Sequence, residues 1–209
     1  MPAAVNAAAV KAALERWALA MQASAPELNE LDGRLGDGDL GATLDKCAAN
    51  VRAALPAMPD ALDGIFKSCA QACAKASGSS FGTLLAQAFV AASKRSADRR
   101  EIAASEFAPL LDEIVGVLSA RGGAKPGDKT MLDSLGAIAQ ALRGAPADAD
   151  HAHLAMQAAR QALDEFRERP NKIGRARMFA AKSVGLDDPG MVAVARMAAS
   201  LSPAGANRP

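Results

Sequence analysis

Apolar residues recur at helical spacing along nearly the whole chain, and no run alternates with the period of two that a half-buried strand needs. Val10, Leu14, Trp17 and Met21 form one such stripe, and Phe107, Leu110, Leu111, Ile114 and Leu118 form another. The pattern predicts helices near residues 5–24, 40–54, 61–76, 81–94, 105–121, 129–143, 148–168 and 189–201, and no strands. The expected fold class is therefore all-α. Alanine supplies much of the 50% hydrophobic content, whereas aromatic residues amount to 3%. Helices built from Ala, Leu and Met approach one another closely, and alanine orders without side-chain entropy cost. A chain of 209 residues suits a single domain. A domain of that size buries on the order of 70% of its unfolded surface and needs no staple. Residues 202–209 are small and polar and read as a tail expected to fray.

The formal net charge is +1, with no basic excess to displace counterions from a nucleic-acid backbone. The first twenty residues carry Glu15 and Arg16 and lack a long apolar run. They read as neither signal peptide nor membrane span, so the expected location is the cytoplasm. Cys69 and Cys73 stand one helical turn apart without further ligands at zinc spacing. The cysteines read as small buried thiols in a reducing compartment. His151 and His153 form an isolated H-x-H without a third ligand.

Against this helical background the glycines cluster in five places: 31–41 (LDGRLGDGDLG), 76–83 (ASGSSFGT), 121–131 (RGGAKPGDKTM), 174–177 (GRAR) and 185–190 (GLDDPG). Four of the five adjoin an expected helix start, where free backbone N–H groups and the positive end of the helix dipole attract phosphate. The first is the most specific. Asp32, Asp37 and Asp39 are interleaved with Gly33, Gly36 and Gly38, which let the loop fold back until the oxygens converge. Carboxylates so close repel, and burying them together costs several kcal/mol unless a cation or hydrogen bonds offset it. Hard oxygen ligands suit Mg²⁺, Mn²⁺ or Ca²⁺. A calcium EF-hand starting at Asp37 would need an oxygen ligand where Gly41 stands and glutamate where Ala48 stands, so that reading fails. Magnesium, which takes few protein carboxylates plus phosphate oxygens and water, fits better. On spacing alone, a solvated acidic turn with Asp39 capping the next helix explains the loop equally well.

The second cluster offers Ser77, Gly78, Ser79, Ser80 and Thr83 at a helix start, which a plain N-cap also explains. It is not a Walker A loop. In the third, Asp128 can cap the helix, yet Lys129 then puts a positive charge in the first turn, where the dipole disfavours it. That points to Lys129 facing an anion or a partner's carboxylate. Met131 follows on the apolar side, placed to pack on an adenine ring or to fill core. In the fourth, Arg175 and Arg177 flank a small residue. A guanidinium there would neutralise a transferring phosphoryl group, although a solvated surface arginine is the commoner case. In the fifth, Asp188 followed by Pro189 is an N-cap with proline at the first helical position.

In their order, LDGRLGDGDLG at 31–41, ASGSSFGT at 76–83, KPGDKTM at 125–131 and GRARMFAAKSVGLDDPG at 174–190 resemble the motifs of the nucleotide-binding subunit of dihydroxyacetone kinase, the DhaL or DAK2 domain. The resemblance spans nearly the whole chain. It implies an antiparallel up-and-down barrel of about eight amphipathic helices, with the nucleotide in the loops at one end. It also implies two Mg²⁺ ions on Asp32, Asp37 and Asp39, bridging the phosphates of ADP or ATP. The implied nucleotide contacts are Leu40, Gly41, Ala42 and Thr43, then Ser77 and Gly78, then Gly122 and Met131, then Arg175, and last Asp188, Pro189 and Gly190. Arg175 would add catalytic charge stabilisation. There are departures: Leu40 and Leu186 occupy positions where the family commonly has histidine, and Lys182 one where it often has arginine.

The activity so implied is in-line transfer of a terminal phosphoryl group to a short keto-sugar held on a separate, DhaK-like subunit, without which this chain would be inactive. The donor is either ATP exchanged at each turnover or a phosphotransferase-system protein (DhaM-like) that recharges a resident ADP. A short free-standing chain leans toward the second. The oligomeric state stays open, a homodimer included. The lost histidines keep alive a rival reading, a non-catalytic ADP/ATP-sensing module of the same fold. A purely structural helical bundle is a third.

Overall fold

The computed structural model describes residues 4–76 and 79–202, apart from the side chains of Arg175 and Phe179. Most of the expected tail, residues 203–209, lies outside the described residues. Among the described residues are eight α-helices: α1 (Ala7–Leu35), α2 (Leu40–Ala54), α3 (Leu62–Ala76), α4 (Ser80–Arg95), α5 (Phe107–Gly122), α6 (Met131–Leu142), α7 (His151–Phe166) and α8 (Pro189–Ala199). Short 3₁₀ segments stand at Leu55–Ala57, Ala104–Glu106 and Arg175–Ser183. The chain is all-α in class, and each expected helix is present.

Two local expectations needed correction. The first helix runs on to Leu35 instead of stopping before Pro26. Proline removes one i→i−4 hydrogen bond. Here its ring is on the exposed side, while Leu28 and Leu35 beyond it are buried at 0% and 2% exposure. Burying two leucines outweighs one lost hydrogen bond. The second correction is a two-stranded ribbon, β1 (Ala4–Asn6) antiparallel to β2 (Glu101–Ala103), with Val5 opposite Ile102. Three residues per strand are too few to show an alternating pattern in sequence.

Each helix packs on the next in the chain, and α8 returns to α1, so the helices close into a ring. One apolar cluster fills the α1–α4 half, around Trp17, Met21, Leu44, Val51, Leu62 and Ile65. A second fills the α5–α8 half, around Leu118, Leu132, Ile138, Ala159 and Val194. Trp17 meets Phe89 edge-on at 6.2 Å between ring centres. Cys47, Cys69 and Cys73 are free and buried, as read from the sequence, and burial pushes the Cys69 thiol up to about 12. No helix among the described residues is long and apolar enough to cross a membrane. Helices α1 and α5 end, and α2, α4, α6 and α8 begin, at the same end of the ring, and it is there that the glycine-rich segments meet.

Candidate nucleotide and metal site

The site starts from the contact of α1 with α2. Asp32 sits on the last turns of α1, because that helix continues through what the sequence suggested was loop. Its Oδ2 accepts hydrogen bonds from the backbone N–H groups of Asp39 (2.9 Å) and Leu40 (3.2 Å). One turn earlier, Asn29 Oδ1 accepts from Ala42 N–H at 3.0 Å. Two side chains of α1 thus cap α2. Asp39 stands at the N-cap position but makes no side-chain capping bond, which removes the capping explanation for its presence.

This arrangement depends on close approach. A Cβ on Gly41 would lie 1.9 Å from the carbonyl oxygen of Ala25, so only glycine lets α2 start against α1 here. Gly38 has φ of +75°, a left-handed conformation that reverses the link between the helices at little cost. The result is convergence: one carboxylate oxygen each from Asp32, Asp37 and Asp39 lies within 4.8 Å of the other two. Asp32 is half-buried, whereas Asp37 and Asp39 are exposed. Mutual repulsion at such range costs roughly 1 kcal/mol per pair in water-like surroundings, which a divalent cation would turn into attraction. A set of hard carboxylate oxygens, one held in place by backbone amides, fits Mg²⁺ or Mn²⁺.

The triad borders a cleft of about 820 Å³. Ser79, Ser80, Phe81 and Thr83, at the start of α4, form its second edge. Ser79 caps that helix by accepting from Gly82 N–H at 3.3 Å. The expected contacts Ser77 and Gly78 lie just outside the described residues. Apolar side chains make up another part of the lining, with Leu118, Met131 and Leu132 buried and Leu84 and Ile173 half-buried, and with Gly122 at the end of α5. The remaining wall is the α7–α8 connection, with Gly174, Ala176, Arg177 and Met178, followed by Asp188, Pro189 and Gly190 at the start of α8.

Of the residues expected from sequence, Asp32, Asp37, Asp39, Leu40, Gly122, Met131, Asp188, Pro189 and Gly190 share this one cleft. Gly41, Ala42 and Thr43 are not among the residues lining it; Gly41 and Thr43 are buried behind Leu40 in the α1–α2 contact. Arg175 begins the 3₁₀ segment, and its side chain lies outside the described residues. His151 is buried and meets Phe107 edge-on at 5.7 Å, away from the cleft.

The third and fifth glycine clusters meet in a buried polar node behind the cleft. The cap of α6 is Thr130, in a capping box with Asp133, rather than Asp128. Lys129 does not face an anion or a partner's carboxylate. It is 1% exposed, with Nζ donating to the carbonyls of Arg167 (2.9 Å), Arg169 (2.8 Å) and Ser183 (2.8 Å). Burial lowers the ammonium's pKa, an effect opposed by Asp188 and Asp187. Asn171 Nδ2 donates to Lys129 O (2.7 Å) and to Asp188 Oδ2 (2.8 Å). Asp188 caps α8 by accepting from Met191 N–H at 2.9 Å, as the Asp-Pro pair suggested. Burial pushes its carboxyl up to about 6, against the pull of the Met191 and Asn171 donors.

Sequence reasoning missed Asn29, Asn171 and Ser183. Asn29 left a signal: it and Asp32 are three apart and so share a helix face. Asn171 left none, because its partners lie 42 and 17 residues away.

Residues 34–202 match the DAK2 domain. The chain is 31% identical over 204 residues to the D-erythrulose kinase of Mycolicibacterium smegmatis, covering 92% of this chain and 34% of that enzyme. It therefore spans about a third of the length of that relative. It is 29% identical over 173 residues to the ADP-binding subunit DhaL of the PEP-dependent dihydroxyacetone kinase of Escherichia coli, covering 80% of this chain and 82% of the subunit. The dihydroxyacetone kinase from C. freundii, solved in complex with AMP-PNP and Mg²⁺, superposes with a TM-score of 0.73 at 25% identity, over 93% of this chain and 33% of that one.

Proposed function

The chain belongs to the DAK2 domain family, and we propose that within it this protein is the nucleotide-holding component of a kinase acting on a short keto-sugar. The observation that carries the proposal is the convergence of Asp32, Asp37 and Asp39 on a cleft that is also lined by the apolar side chains of Leu84, Leu118, Met131, Leu132 and Ile173. Such a cleft suits a ligand with a polyanionic end and a flat apolar end, which describes ADP or ATP. The aspartates would hold magnesium, two ions on the family's pattern, and bound metal neutralises phosphate oxygens and aligns them for in-line displacement. The chain's own residues supply the rest. Asp32, held by the Asp39 and Leu40 amides, offers its remaining oxygen in a fixed direction. The start of α4, beyond its Ser79 cap, turns the positive end of a helix dipole to the phosphates. Met131 and Leu118 take the base, and Gly122 leaves room beside them. Arg175, on the same segment as Arg177, adds positive charge as the phosphoryl group transfers.

The acceptor is a short ketose such as dihydroxyacetone or erythrulose, held by a sugar-binding subunit, and this chain alone is inactive. Its partner in recharging is either free ATP or a phosphotransferase-system protein acting on resident ADP. One observation favours the sensor reading. Leu40, 5% exposed on the cleft, offers no polar atom where the family commonly has histidine.

Calorimetric titration with MgADP, on the wild type and on Asp37→Asn, is the test. The expected result is magnesium-dependent binding that weakens at least tenfold in the variant, with an unfolding midpoint no lower than that of the wild type. A wild type that binds no MgADP overturns the reading. With the sugar-binding subunit and dihydroxyacetone added, phosphorylated product supports the kinase. Tight ADP binding without product, under either donor scheme, selects the sensor.

A further inference from the structure

We propose that Lys129 is a positioning residue, a buried latch that holds the α7–α8 connection upright as one wall of the cleft. Three observations converge on it. First, Lys129 is one of two non-glycine residues with positive φ among the described residues, at 61°, a conformation that disfavours any side chain but glycine. The chain keeps a lysine there all the same, turned inward. Second, its ammonium reaches carbonyls at both ends of the connection: Arg167 and Arg169 where α7 stops, and Ser183 where the 3₁₀ segment stops. Both are the negative ends of helical segments, where a cation is favoured. Third, the middle of the connection lies at the surface, and the bonds described for it sit near its two ends: Lys172 N–H and Nζ donate to the carbonyls of Asp128 (3.1 Å) and Gly127 (2.8 Å), Gly185 N–H donates to the Arg167 carbonyl (2.9 Å), and Arg167 Nε donates to Asp187 (2.9 Å). Gly174, Arg177, Lys182 and Val184 are exposed, and Met178 is 72% exposed. The other ties gather at the same base. Asn171 N–H donates to Ser183 Oγ at 2.9 Å, and the Asn171 amide bridges Lys129 O to Asp188. The node therefore sets both the wall and the cap of α8. A lysine two residues before Met131 connects the apolar lining to the side wall without touching the ligand space.

The inference rests on the nucleotide reading only for its affinity arm. The test is native trypsin digestion of the full chain, with Lys129→Met, Lys129→Arg and Ser183→Ala beside the wild type. Trypsin can cut the connection after Arg175, Arg177 and Lys182. The expected result is cleavage there at least tenfold faster in Lys129→Met, with sites on α1 and α2 such as Arg16 and Arg52 unchanged. Lys129→Arg, which keeps a charged donor, should regain part of the protection. MgADP affinity should fall at least tenfold in Lys129→Met. A lysine that merely stabilises the ring would open all sites together, and that pattern overturns the proposal, as does wild-type cleavage in Lys129→Met. Should Lys129→Met fail to fold, Lys129→Arg decides: a guanidinium cannot reproduce all three ammonium bonds, and the latch predicts a smaller acceleration at the same three sites, no acceleration overturning it. Ser183→Ala, which keeps the Ser183 carbonyl and every Lys129 bond but loses the Asn171 tie, is the control and should open those sites less than Lys129→Met. A wild type that binds no MgADP removes the kinase reading, while the cleavage pattern still judges the latch.

Discussion

The two sides of the cleft treat charge in opposite ways. On the α1–α2 side, Asp32, Asp37 and Asp39 stand half-buried or exposed, with their oxygens within 4.8 Å of one another. On the α6–α8 side, Lys129 and Asn171 are 1% exposed and Asp188, at the cleft's edge, 9%, and the Lys129 ammonium, the Asn171 amide nitrogen and both Asp188 oxygens are tied to named donors or acceptors. Water screens the open set, so the chain folds around its repulsion for roughly 1 kcal/mol per pair. The sealed set has lost nearly all its water and finds its partners within the chain, apart from Asn171 Oδ1, which is buried without a hydrogen-bond partner among the described residues. The open side can therefore respond to an ion or an anion in solution. The sealed side, of whose three residues only Asp188 borders the cleft, fixes the wall against which a ligand would rest. A site that binds a mobile metal complex in one orientation needs both kinds of surface.

The sharpest way to break this contrast is to push the open side apart from behind. Gly41 touches no ligand space, but a Cβ there meets the Ala25 carbonyl oxygen at 1.9 Å, and backbone cannot step aside cheaply. Gly41→Ala should lower stability by about 4 kcal/mol, or on the order of 10 °C in unfolding midpoint for a chain of this size. It should also abolish Mn²⁺ binding, because Asp32 is joined to Asp39 and Leu40 only while α2 abuts α1. An unchanged midpoint would mean that the two helices part freely, and the open side would then owe its geometry to something other than this contact.

The helices were legible because their signal is local. Ala-rich stretches with apolar residues at i, i+3 and i+4 can bury a face in only one way. Asp188 with Pro189 was legible for the same reason, since a cap and its first turn are neighbours in sequence. The triad could be picked out by spacing, but the residues that aim it could not. Asn29 and Gly41 do their work between two helices, and the Gly41 contact is with a backbone atom sixteen residues earlier. Lys129 misled in an instructive way. A cation at a helix start looks like a ligand for an outside anion. Its true partners are carbonyls 38, 40 and 54 residues further on, and nothing in the local sequence marks them. Pro26 misled because one lost hydrogen bond is visible in sequence while the burial of Leu28 and Leu35 is not.

A smaller effect sharpens the contrast from the sealed side. Asp188 ordinarily would titrate near 3.8, and burial pushes it up to about 6. The folded protein thus holds this proton more tightly than the unfolded chain. Its contribution to stability is full below about pH 4 and is lost as the pH rises through 6. A shift of that size corresponds to roughly 3 kcal/mol. Other carboxylates titrate in the same window, so the measurement is a difference. Urea unfolding of the wild type and of Asp188→Asn, which keeps an acceptor for Met191 N–H, should show the wild type losing about 3 kcal/mol relative to the variant between pH 4 and pH 7. Parallel curves would show that water reaches Asp188, and the node would then belong with the open side.

The smallest expected effect lies at the seam where the ring closes. Arg196 of α8 pairs with Glu27 of α1 through two hydrogen bonds, at 2.9 and 2.6 Å. Both side chains are more than two-fifths exposed, at 43% and 44%. The guanidinium holds the Glu27 carboxyl below its ordinary value, so the pair stabilises above about pH 4.5 and weakens as the pH falls. Exposure limits the gain, and Glu27→Gln should cost less than about 1 kcal/mol, shrinking further in 0.5 M salt. The seam has a stronger hold: Val192 and Ala193 of α8 join the same buried cluster as Met21 and Leu28 of α1. If Glu27→Gln instead cost more than about 2 kcal/mol at high salt, the pair would be acting as a desolvated one. Charge would then be closing the ring as firmly as it ties the node behind the cleft, and the division between an open and a sealed side would not extend to the rest of the molecule.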